Sequence, residues 1–117
     1  MTLEACYNEM GSDLKTAVSH MGGSEKMLAK FVRKFPNDAT ALGLFDAFEK
    51  QDWQTAFRMA HTLKGLCMNL GLDKLQKSSA ELTEALRDAV ADNAPQLLEQ
   101  VRADYNMTVG VLKDLDE

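Results

Sequence analysis

The feature that most constrains this chain is a run of apolar residues spaced alternately four and three apart: Ala56, Ala60, Leu63, Cys67 and Leu70. That spacing is the seam of a helix packed lengthwise against others. Asp52 stands where an N-cap is wanted, after a tight connection at Lys50-Gln51, and Gly71 can supply a left-handed C-cap. A second seam follows in Leu75, Ser79, Leu82, Leu86 and Ala89, with Asp73 and Gln76 at capping-box spacing. A third runs through Leu98, Val101, Tyr105, Thr108, Leu112 and Leu115. It follows Asn93 and Gln96, again at that spacing, with Pro95 in the first turn where proline is tolerated.

Upstream, Ser24 opens a helix carrying Leu28, Phe31, Val32 and Phe35. Pro36 breaks or kinks it, because proline lacks an amide donor and restricts the residue before it. The run resumes as Ala39, Leu42, Phe45 and Phe48. A short amphipathic start over residues 3–21 is interrupted at Gly11-Ser12-Asp13 and stopped at Gly22-Gly23. No strand pattern competes. The expectation is an all-α protein: an antiparallel up-down four-helix bundle with a short additional N-terminal helical segment, one domain over residues 1–117.

Charge and composition narrow the function classes. The 117 residues are 45% apolar and 26% charged, with a net charge of −5. An acidic surface repels phosphate backbones, which argues against nucleic acid. No apolar stretch is long enough to span a membrane, and the N-terminus lacks a signal peptide's basic and apolar regions. Cys6 and Cys67 make no disulfide framework, and Cys67 falls on a buried stripe. These features point to the cytoplasm, and Met1 favours a whole protein over an excised domain. His20 and His61 are far apart and form no H-x-x-x-H or E-x-x-H pair, so no metal site is expected.

The chemistry concentrates at His61-Thr62-Leu63-Lys64-Gly65. On a helical wheel centred on the Ala56 to Leu70 seam, His61 lies about 140° away, Lys64 about 80°, Gly65 about 180° and Met68 about 120°. Phe57 sits near the same edge. An outward histidine does nothing for packing, and a mid-helix glycine costs about 1 kcal/mol relative to alanine. An exposed imidazole, a neighbouring cation, a missing side chain and two apolar neighbours describe a docking surface with a nucleophile in it. The plainer readings are a surface histidine, a solvated lysine, a glycine at a helix contact and two boundary core residues.

The stretch Ala60-His61-Thr62-Leu63-Lys64-Gly65, followed by Asn69-Leu70-Gly71, resembles the A-H-x-L-K-G stretch of histidine-containing phosphotransfer (HPt) domains. The helix start at Asp52-Trp53 and the downstream Leu75 and Leu82 are also similar to that family, from about residue 24 to 87. Two positions depart from it. Leu66 stands where a small residue is common. Thr83 stands where Gln or Glu often approaches the histidine, and its hydroxyl is the candidate for that contact, against a neutral surface position.

The resemblance implies a phosphoryl carrier rather than an autonomous enzyme. His61 would be the phosphorylated nucleophile, Lys64 the charge partner of the phosphoryl oxygens, and Gly65 the point of close approach. Phe57, Met68 and Thr83 would contact the partner. That partner would be a response-regulator receiver domain, with a hybrid histidine kinase as a further candidate. Mg²⁺ would come from the receiver, so the chain needs no cofactor of its own, and it is expected to be a monomer. Two alternatives stand beside this. One is an adaptor that docks partners without phosphorylation. The other is an enzyme, for which the sequence has no nucleotide-cradling loop and no nucleophile–base–acid set. A histidine kinase dimerisation domain also presents an exposed histidine, and a dimer would favour it.

Overall fold

Side-chain caps at Thr2, Asp13, Ser24 and Asp52 set four of the helix starts. The computed structural model describes residues 1–116, and no strand occurs among them. Seven α-helices follow in order: α1 Leu3–Glu9, α2 Leu14–Ser19, α3 Glu25–Lys34, α4 Thr40–Glu49, α5 Trp53–Leu70, α6 Asp73–Ala85 and α7 Ala94–Leu112. A 3-10 turn at Phe35–Asn37, holding Pro36, separates α3 from α4. Ser24 caps α3 by accepting from the Met27 amide, and Asp52 caps α5 by accepting from the Thr55 amide. Gly71 ends α5 in the left-handed region at φ 67°.

The four-helix bundle is built from the α3–α4 arm, α5, α6 and α7, with neighbours in sequence packed side by side. All five residues of the α5 seam are buried. Leucines so enclosed each contribute about 1.5–3 kcal/mol through burial. Aromatic edges close the bundle: Tyr105 of α7 meets Phe45 at 5.8 Å and Phe35 at 6.1 Å between ring centroids. The N-terminal segment packs over the α5–α6 turn. The Tyr7 hydroxyl donates to the Leu70 carbonyl at 2.6 Å, and Ser12 Oγ accepts from the Asp73 amide at 3.2 Å. Ala17 presses on Gly71, where an added Cβ would lie 2.6 Å from the Ala17 Cβ. That close approach and the positive φ together require glycine.

Several boundaries differ from the sequence reading. Asp73 is the first residue of α6 and not its cap; Leu72 holds the cap position and has no side-chain bond to give. Ser12 satisfies that amide from outside the helix. Asn93 does precede α7, but its side chain caps nothing. Helix α6 stops at Ala85, so Ala89 lies in an exposed loop rather than on the seam. Leu115 lies past the end of α7 and is half-buried. On α4 the buried face is Ala41, Leu44, Phe45 and Ala47, while Leu42 is 60% exposed. Phe31 is also exposed. No helix among the described residues is long and apolar enough to cross a membrane.

Candidate functional site

Helix α5 is anchored by its buried seam and therefore holds its opposite face at a fixed angle to solvent. His61, Thr62 and Met68 are exposed on it, and Phe57, Lys64 and Gly65 are half-buried. The exposure of His61 agrees with its outward position on the helical wheel. A Cβ built on Gly65 would meet no atom within 4 Å, so no packing contact accounts for this glycine. The Phe57 and His61 rings lie 6.2 Å apart, one helical turn from each other.

Across from α5, the end of α6 brings two residues that the sequence reading did not single out. Arg87 places its guanidinium carbon 5.3 Å from the Phe57 ring centroid. It also donates to Glu84 through Nε at 3.0 Å and Nη2 at 2.8 Å. A shallow pocket of about 360 Å³ is lined by Phe57, Arg58, His61, Thr62 and Arg87. The Arg87 hydrogen bond holds the Glu84 carboxyl below the usual carboxylate range, and the charges of Arg87 and Lys64 add to that shift. One face thus carries an imidazole, three basic side chains and one acid. The sequence signal for the pair was an acid and a base three apart at the end of a seam.

Thr83 is not on this face. It is fully buried, and its hydroxyl donates to the Ser79 carbonyl at 2.7 Å. The expected contact between Thr83 and a partner is therefore corrected. Thr83 lies one turn past Ser79, itself a seam residue, so the periodicity already turned it inward. Leu66 is half-buried and lines an apolar groove with Met21, Phe31 and Leu70, apart from the His61 pocket. Its departure from the family pattern falls there.

Other nucleophiles are poorly placed. Burial pushes the Cys67 thiol up to about 12, so it stays protonated and enclosed. Among the described residues, no group of three or more His, Cys, Asp or Glu side chains could hold a metal ion. What the face offers is an accessible imidazole beside cations, with open space around a glycine. That arrangement suits a group carried on nitrogen and delivered to or from a second protein.

Comparison with known families gives the same direction. The family model described as "Hpt domain" matches residues 26–110 of the 117-residue chain. No curated protein and no solved structure matches. The match covers α3 to nearly the end of α7, including the whole of the face around His61. The chain belongs to the Hpt domain family, the helical modules of histidine phosphotransfer in phosphorelays.

Proposed function

We propose that this chain carries a phosphoryl group on His61, taking it from the aspartyl phosphate of one receiver domain and passing it to the aspartate of another. The observation that supports this most is the exposed His61 on the rigid α5 face, with Lys64 one turn on, inside the stretch matched by the family. In the forward step the lone pair of the outer ring nitrogen attacks phosphorus. An N–P bond forms, the P–O bond to aspartate breaks, and the carboxylate leaves with the electron pair. The second transfer is the same step reversed, with a new carboxylate as acceptor.

Each neighbour has a part in this. Lys64 offsets charge on the phosphoryl oxygens while they pass between partners. Gly65 leaves room for the receiver backbone, and Phe57 and Met68 supply apolar contact beside it. Mg²⁺ and the reacting carboxylate belong to the receiver. The carrier acts as one domain over residues 1–117, as a monomer in the cytoplasm, with response regulators or a hybrid kinase as partners. It does not use ATP by itself.

The test is to challenge the purified chain with a panel of labelled phospho-receivers. Transfer of label to His61 and on to a second receiver is expected, and failure across the panel rejects the carrier reading. Two variants refine it. Lys64→Ala is expected to slow single-turnover transfer about 10- to 100-fold, about 1.4–2.7 kcal/mol, with a smaller effect on docking. An unchanged rate removes Lys64 from the site. Thr83→Val is expected to leave transfer unchanged and to cost about 1 kcal/mol in stability, since only a buried hydroxyl is lost. Slow transfer from a stably folded Thr83→Val chain would return Thr83 to the site.

A further inference from the structure

The pocket beside His61 has charged neighbours to which the carrier reading assigns nothing: Arg58, Glu84 and Arg87. Arg58 donates to the Thr55 hydroxyl at 3.2 Å, back toward the start of α5. Arg87 differs. Its guanidinium lies over the Phe57 ring, and that ring is in turn the neighbour of the imidazole. Two of the five guanidinium N–H donors engage Glu84 through Nε and Nη2, which leaves Nη1 free of that carboxylate.

Neither Arg87 nor Glu84 is held by burial. Their side chains are 44% and 64% exposed, so the pair is screened and easily exchanged for a better anion. A phosphoryl group on His61 would be such an anion: more highly charged than a carboxylate, with three oxygens for a planar fork to bridge. The flat Phe57 face would let the guanidinium shift toward His61 while keeping contact with the ring. Glu84 repels that phosphoryl group once Arg87 leaves it, a cost that the contact between Arg87 and the phosphoryl oxygens must exceed.

We infer that Arg87 binds the phosphoryl oxygens once His61 is phosphorylated, with Phe57 as its platform and Glu84 as the counter-charge that holds it when the imidazole is free. This rests on the carrier reading above and adds to it a second cation, from just past the end of α6, beside Lys64. Arg87 then stabilises the phosphorylated chain over the free one. It therefore sets how phosphoryl groups divide between His61 and a receiver aspartate.

That division at equilibrium separates this role from docking. A residue that only helps partners meet changes rates and affinity, but not the final ratio of free phosphorylated species. Mix a labelled phospho-receiver with excess wild-type chain, Arg87→Ala, Arg87→Lys or Glu84→Gln, and measure the label on each protein when the ratio is constant. Arg87→Ala should lower the share on His61 about tenfold, the size of one charge-assisted hydrogen bond. Arg87→Lys should recover part of it, because the charge remains and the fork is lost. Glu84→Gln should raise the share on His61. Melting curves of the unphosphorylated chains should differ little, since the pair is exposed.

A normal ratio in folded Arg87→Ala overturns the inference and leaves the carrier reading standing. A lowered ratio in Glu84→Gln overturns the part assigned to Glu84. Wild-type chain that takes no label from any receiver, nor from phosphoramidate as a small donor, overturns the carrier reading and this inference together.

Discussion

His61→Ala is expected to take no label from any phospho-receiver that labels the wild-type chain, while remaining as stable as the parent. The loss should be complete because nothing nearby can replace the nucleophile. His20, the other histidine, caps the end of α2 and lies outside the pocket. Cys67 is enclosed and protonated. Stability should change by no more than about 0.5 kcal/mol, because the side chain is exposed and alanine is the better helix former. The wild-type label should be acid-labile and alkali-stable, as a phosphoramidate bond requires. Parallel labelling, followed by acid and alkali washes and a melting curve for each protein, checks all of this. Label that survives in His61→Ala would move the site elsewhere, and an unfolded variant would mean that the imidazole has a packing role its exposure denies.

The parts of this protein that were legible in its sequence share a cause. Helix α5 could be read because its seam repeats without interruption between two strong signals, Asp52 and Gly71, and every seam residue is buried. The outward angle of His61 followed from that seam alone. Helix α4 was misread because the period was carried across Pro36. The 3-10 turn at Phe35–Asn37 and the residues after it reset the phase, so Leu42 faces solvent and Ala41 and Leu44 face the core. The cap of α6 was misread because its amide is satisfied by Ser12, a residue remote in sequence. Arg87 was missed for a related reason. It lies beyond the end of α6, where the chain turns, and no helical wheel places a loop residue over the Phe57 ring. Local periodicity predicts faces within a helix; it carries nothing about what a chain reversal brings back onto them.

Gly65→Gln is expected to preserve or raise thermal stability while slowing transfer from phospho-receivers about 100-fold or more, about 2.7 kcal/mol. The two effects have opposite signs because the glycine is costly to the helix and useful to the surface. A mid-helix glycine loses backbone entropy that other residues do not, so Gly65→Ala should gain about 0.5–1 kcal/mol. Nothing resists the change, since an added Cβ meets no atom within 4 Å. Glutamine is a good helix former and should fit as well. Its long side chain, however, one turn from His61, would occupy the space a receiver needs in order to bring its phosphoryl group in line. Phosphoramidate needs far less room, so its reaction with His61 should be affected much less. The measurements are a melting curve, a transfer time course from a phospho-receiver and a time course with phosphoramidate, for both Gly65→Ala and Gly65→Gln. Equal losses with both donors would mean that the substitution disturbs His61 itself. An unfolded Gly65→Gln would assign the glycine to packing, against the open space around it. A stable variant that transfers at the wild-type rate would show that receivers approach His61 from another side.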